Sequence, residues 1–171
     1  MNITLTVPKA EHEQAALDFV REFAENGEHV INGSEMLDNT PVYADWLASI
    51  SRNADPATVS PDWVLTDTFF ALDEAGRIVG IIDLRRELNG FLVDFGNTGY
   101  SVRPSERRKG YATDMLRQLL DHARSVGMDR LQLSVERSNE PSVKTIVRNG
   151  GIYIRSFEFE GEAADVYLIE L

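Results

Sequence analysis

Cysteine is absent from the 171 residues, which excludes a disulfide framework, a thiolate nucleophile and every cysteine-ligated zinc or iron-sulfur site. Histidine is scarce: His12, His29 and His122 lack the spacing of a metal site, and no metal is expected. Long apolar runs are missing too, since no stretch approaches the roughly 20 residues a membrane helix needs. The opening segment, Met1 to Pro8, has no basic start, no apolar core and no small-residue cleavage site, so no secretory signal is expected and the cytoplasm is the expected compartment. Positive charge is in deficit. With 17 Lys and Arg against 28 Asp and Glu the formal net charge is -11, so neither nucleic acid nor an anionic membrane is an expected partner, because both need a positive face.

What is present suits one domain over residues 1–171, long enough to bury a self-sufficient core. Ile3, Leu5 and Val7 alternate before Pro8 as a short strand. Ala16, Phe19, Val20 and Phe23 follow at helical spacing and stop at Asn26-Gly27. In a second helix Thr40 is the expected cap, Pro41 the first residue, and Tyr43, Trp46, Leu47 and Ile50 the buried stripe. Residues 63–72 and 77–88, parted by the turn 73–76, read as a hairpin. A strand at 99–102 is expected to lead to a helix from Gly110 with Ala112, Met115, Leu116, Leu119, Leu120 and Ala123 on one face. A strand over 130–136, a helix carrying Val143, Ile146 and Val147, and a hairpin of 152–159 with 164–170 finish the chain.

The window Arg103-Pro104-Ser105-Glu106-Arg107-Arg108-Lys109 holds four cations and one anion just before the expected helix at Gly110. Cations at a helix N-terminus are unfavourable by roughly 0.3–1 kcal/mol each. A bound anion reverses the sign, because the free first-turn amides, the dipole and the side-chain cations then all point at one negative charge. Gly110 lets the backbone approach such a group closely, and Ala112 keeps the first turn clear. The alternative is a solvated basic loop. The spacing fits neither a P-loop nor a dinucleotide fingerprint.

Arg107-Arg108-Lys109-Gly110-Tyr111-Ala112 resembles the Arg/Gln-x-x-Gly-x-Gly/Ala signature of the GCN5-related N-acetyltransferases (GNAT). Over residues 64 to 151 the order hairpin, strand, signature, helix, strand and then Asn139-x-x-Ser142 is similar to that family. The resemblance implies an α/β fold with a mixed, largely antiparallel central sheet of about six to seven strands, helices on both faces and a splayed parallel pair at the cofactor site. It implies acetyl-CoA as co-substrate, with the pyrophosphate held by amides of Arg107, Arg108, Lys109, Gly110, Tyr111 and Ala112, and Arg108 and Lys109 supplying charge. It also implies that backbone groups of Tyr100, Ser101 and Val102 pair with the pantetheine arm and that Asn139 and Ser142 reach the same arm. As a sequence feature, Asn139 reads equally as the N-cap of its helix.

The reaction implied is acetyl transfer to an amine of a small molecule or peptide, which needs a base for the amine and a proton for the departing thiolate. Where many members carry a tyrosine, four residues after Ser142, this chain has Ile146, which cannot donate a proton. Tyr153 and Tyr111 are the candidate donors, with Tyr153 preferred; otherwise water donates or turnover is slow. Glu136 is the first candidate base, ahead of Asp83 and Glu87, because it ends a strand where open sheets place ligands. The competing reading is a non-catalytic acyl-CoA-binding module of the same fold. A third is a protein-interaction domain whose basic loop meets an acidic partner. A homodimer is compatible with each.

Overall fold

The computed structural model describes residues 2–171. In chain order the elements are β1 (Thr4–Thr6), α1 (Glu13–Glu25), α2 (Tyr43–Asn53), β2 (Thr66–Leu72), β3 (Ile78–Arg85), α3 (Leu92–Phe95), β4 (Tyr100–Val102), α4 (Tyr111–Ser125), β5 (Arg130–Glu136), α5 (Glu140–Arg148), β6 (Ile152–Phe159) and β7 (Glu162–Glu170). The expected mixed α/β architecture is present. Its seven strands fall into two sheets, β1-β2-β3-β4 and β5-β7-β6, and each of their ladders is antiparallel.

The sheets touch at an isolated bridge between Gly96 and Leu133. Asn97 reinforces it: its N–H donates to Gln132 O (2.6 Å) and its Oδ1 accepts from Gln132 N (2.8 Å). Gly96 is needed there, because at φ 86° a Cβ would lie 2.4 Å from Gln132 O. Beyond this junction β4 and β5 share no ladder among the described residues. The expected splayed pair is therefore an open seam, joined just ahead of β4 and at the middle of β5 by a bridge that is antiparallel.

Helices cover both faces. Val79, Ile82 and Leu84 of β3 pack with Met115, Leu116, Leu119 and Leu120 of α4, while Ile78 and Ile81 pack with Phe19 and Phe23 of α1 and Trp46 and Ile50 of α2. The extra residue Val79, between the pairs Leu72–Ile78 and Ala71–Gly80, is a bulge that shifts which residues of the strand face each core. Burying each large side chain of the α4 stripe contributes roughly 1.5–3 kcal/mol. Gly80 sets how closely α4 approaches, since a Cβ there would lie 2.6 Å from Met115 Sδ.

Two details depart from expectation. Helix α2 begins at Tyr43 with Val42 as its N-cap; Thr40 is not the cap, because its hydroxyl donates to Met36 O (2.7 Å) and closes the preceding turn. The short α3 had no periodic signal. It is started by Asn89, whose Oδ1 accepts from Leu92 N (2.8 Å).

Candidate active site

The seam is lined on one side by β4. Asp83 N donates to Gly99 O, Arg85 N to Asn97 O and Arg103 N to Val79 O, so the odd-numbered residues face β3. By strand alternation, the backbone groups of Tyr100 and Val102 turn toward the seam. Ser101 sits opposite Ile81 in the ladder, which leaves Tyr100 and Val102 as the two of the three expected arm-binding residues with backbone groups on the open edge. The Ser101 hydroxyl instead donates to Asn32 O (2.9 Å). Val102 O takes a hydrogen bond from Arg107 Nε (3.1 Å).

At the end of β4 the chain turns through Pro104–Glu106 and reaches α4 by way of Arg108 at φ 64° and Gly110 at φ 86°. Such left-handed residues curl a loop so that successive amides converge on a concavity. No side chain caps the first turn of α4, whose N-cap is Gly110 itself. The amides there remain available to an anion.

The cations of this loop are not the unpaired cluster that their sequence suggests. Arg103 is buried, with Nε donating to Ile78 O (2.7 Å), Nη1 meeting Glu22 (2.8 Å) and Asp18 (3.2 Å), and the guanidinium over the Phe19 ring. Arg107 pairs with Glu28 (2.8 Å) and Lys109 with Glu106 (2.7 Å). The local excess of positive charge is thus largely cancelled by carboxylates some 80 residues away in sequence, which a window of seven residues cannot register. Burial works against ionisation of Glu22, but hydrogen bonds from Ser105 and Arg103 outweigh it and lower its pKa to about 2. Arg108 alone among these four cations has no carboxylate partner among the described residues.

A cavity of about 510 Å³ opens beside Gly110, between α4 and α5, with Thr113, Arg117, Arg124, Arg148 and Asn149 on its walls. Asn149 ties the two helices together by donating to Thr113 O (3.2 Å) and Thr145 O (2.9 Å).

Across the seam, Asn139 caps α5 by accepting from Ser142 N (3.3 Å). The Ser142 hydroxyl is bonded to Tyr100 OH at 2.7 Å. Burial pushes the Tyr100 hydroxyl up to about 12, with Ser142 pulling slightly the other way. Ile146, one turn further along α5, is 1% exposed and part of the core.

The remaining expected residues are scattered. Tyr111 is buried as the first residue of α4. Tyr153 lies opposite Tyr167, which lies opposite Leu133, so it shares the face of Leu133; its hydroxyl bonds to Ser156 (2.7 Å). Glu136 is exposed, three residues on from Leu133 along β5. An odd spacing puts Glu136 on the opposite face, so the structure does not bring Glu136 and Tyr153 together. Glu87 is exposed, whereas Asp83 is wholly buried and meets Arg85 (3.3 Å). Arg86 turns away to Asp67, which also meets His122. Glu35 was not singled out from sequence, because it sits in a polar connection without periodicity; it lies against Asp83. Among the described residues no group of three or more His, Asp or Glu is placed to hold a metal.

An uncapped helix start with a cavity beside it thus lies next to the unpaired edge of β4. The model of the acetyltransferase (GNAT) family matches residues 40–150, and the chain belongs to that family. No curated protein matches it. Among solved structures, a GNAT-family acetyltransferase from Streptococcus pneumoniae superposes with a TM-score of 0.71 at 14% identity, over 99% of this chain and 100% of that one. The protein yncA from Salmonella typhimurium, solved with its cofactor acetyl-CoA, gives 0.66 at 18% identity over 99% and 94%. A chimera of the spermidine N-acetyltransferase SpeG from Vibrio cholerae gives 0.67 at 14% identity over 99% and 96%. At these identities the similarity speaks for the fold.

Proposed function

We propose that the chain is an acetyl-CoA-dependent N-acetyltransferase acting on an amine of a small molecule or peptide. The observation that carries this reading is the continuity of two unsatisfied surfaces: the uncapped start of α4 at Gly110 and the open edge of β4 at Tyr100 and the Val102 N–H, the Val102 carbonyl being taken by Arg107. Amides of Arg107 to Ala112 would take the pyrophosphate, with Arg108 as its free cation. Tyr100 and Val102 would pair with the amides of the pantetheine arm as an added strand does. The cavity beside Gly110 would receive the nucleotide end, where Arg148 supplies charge. Asn139 already caps α5 through its oxygen, and its amide group remains to meet the arm. Ser142 serves by orienting Tyr100.

For the thiolate, Tyr100 is better situated than Tyr153. Its hydroxyl reaches across the seam to α5 one turn before Ile146, so it offers a phenol from β4 where the helix offers none. Held at about 12, it stays protonated at working pH and can stabilise the developing negative charge before yielding its proton. Glu136, exposed at the end of β5, would serve as base only through water.

Ile146 also favours a second reading, an acyl-CoA-binding module without turnover. Calorimetry with acetyl-CoA, followed by a thiol assay for free CoA over an amine panel, separates the two. The proposal expects binding and acceptor-dependent CoA release, with Tyr100→Phe lowering kcat by about 10²-fold at unchanged Kd. Tight binding with no acceptor-dependent release would leave the binding module.

A further inference from the structure

We propose that Glu35 and Asp83, held together beside Gly99 at the opening of the seam, form the acceptor subsite, which takes a cationic primary amine and accepts one of its protons. The proposal rests on the acetyltransferase reading above.

The connection that carries Glu35 is fixed rather than slack. Gly33 packs on Gly99 so closely that a Cβ would lie 2.2 Å from Gly99 O. Asn32 O accepts from the Ser101 hydroxyl (2.9 Å), and the Trp46 indole N–H is shared between Ser34 O (2.9 Å) and Glu35 O (3.1 Å). Asp38 holds the loop from behind through Ile31 N (2.9 Å) and the Ser34 hydroxyl (3.3 Å). Glu35 and Met36 both sit in the left-handed region, at φ 51° and 73°.

The Glu35 carboxyl lies against that of Asp83, which is itself held by the Gly99 amide. Asp83 is 0% exposed, and its oxygens accept from Gly99 N (2.7 Å) and Arg85 Nη1 (3.3 Å). Two carboxyl groups in direct contact hold one proton between them. The buried Trp63 Nε1 faces the Glu35 carboxyl without closing a hydrogen bond of ordinary geometry, and it has no other partner. This is a donor and a carboxyl pair waiting on a further polar group. Burial, then Asp83, pushes the Glu35 carboxyl up to about 9, and Arg85 opposes the rise. The charged groups acting on it are these two from β3; Asp38 is engaged with the loop backbone.

The position fits the reaction. A ligand lying along β4 with its phosphates at Gly110 has its other end at Tyr100 and Gly99, and Gly99 is the residue that Asp83 and Gly33 both touch. The proton affinity fits too. An alkylammonium ion has a pKa of about 10.4, so an ordinary carboxylate is roughly a million-fold too weak to deprotonate it, while one at about 9 falls short by only roughly tenfold to thirtyfold.

The step then balances. Once the shared proton has left to solvent, the ammonium gives its first proton to the pair, which then again holds one, and becomes a free amine. The amine nitrogen attacks the thioester carbonyl; the C–N bond forms, the C–S bond breaks, and the second N–H proton goes by way of Tyr100 to the departing thiolate. The pair later returns its proton to solvent. The net charge of -11 favours approach of the cation.

Glu35→Gln keeps size and hydrogen bonding and removes the base. We expect its Kd for acetyl-CoA to stay within twofold of wild type by calorimetry, while kcat/KM for primary alkylamines falls at least 100-fold and the pH limb near 9 disappears. A weakly basic arylamine, already neutral at pH 7, should lose far less. A variant with the wild-type rate and pH profile overturns the assignment. The second measurement needs no turnover: carboxyl ¹³C NMR of the wild type should show Glu35 titrating near 9, moved by an alkylammonium salt and returned toward ordinary values in Asp83→Asn. A Glu35 signal indifferent to both overturns the subsite. Absence of acetyl-CoA binding by the wild type would instead remove the acetyltransferase reading, and the NMR arm would still decide the amine subsite.

Discussion

Helices α4 and α5 both follow strands that border the seam, yet they begin in opposite ways. Asn139 bends its side chain back onto the amide of Ser142, and Pro141 removes a further donor. Gly110 has no side chain to offer, and the first turn of α4 is uncapped. Leaving a helix start uncapped forgoes about 1 kcal/mol that an Asn or Ser would add. The same chain uses the self-satisfied solution at one helix and declines it at the other. Helices α1 and α2 also start without a side-chain cap, so what sets the α4 terminus apart is the left-handed pair Arg108 and Gly110 ahead of it, which curls its amides onto one concavity, while Asn139 is occupied as a cap.

The largest effect should come from closing the open terminus. In Gly110→Asp the carboxylate would occupy the anion position and cap α4 itself, and Asp tolerates the left-handed φ of 86° better than most residues. Affinity for acetyl-CoA should fall more than 100-fold by calorimetry, with the circular dichroism spectrum unchanged; unaltered affinity would erase the contrast between the two helices. Opening the closed terminus should act on stability instead. Asn139→Ala should lower stability by about 1 kcal/mol, a Tm change of about 2–4 °C, with at most a severalfold change in Kd.

The smallest effect concerns the carboxylates that neutralise the loop before α4. The Glu22 pKa is lowered from 4.5 to about 2 in the folded chain, so its contribution to stability is complete above its unfolded value and disappears as pH falls through the interval down to about 2. Glu22→Gln should flatten the drop in Tm across that acid interval, and an unchanged acid profile would detach Glu22 from the loop.

Much of this was legible in the sequence, and the parts that were not have physical reasons. Periodicity found every long helix and β1, β5, β6 and β7, because α1, α2, α4 and α5 each bury one face and β5 alternates cleanly around Leu131, Leu133 and Val135; β-branched and aromatic composition found the β2–β3 hairpin. It missed α3, whose four residues are fewer than one repeat of any pattern can establish. The anion loop was readable because glycine and cation spacing are local. Its charge was misjudged because Asp18, Glu22 and Glu28 approach from α1 and the turn after it. Glu35 was invisible for the same reason: its chemistry comes from Asp83 and Trp63, brought to it only by the packing of Gly33 on Gly99. Glu136 was favoured by its place at a strand end, a rule that specifies the end of the sheet but not which face a side chain takes.

The junction at Asn97 acts as a backbone rivet between two plates. Among the described residues the backbones on the two sides meet only at Gly96 and Asn97, just before β4, and side chains such as Tyr100 with Ser142 bridge the gap beyond. Whatever fills the gap must therefore also brace the plate carrying β5, β6 and β7, and occupancy is linked to the rigidity of that half by mass action.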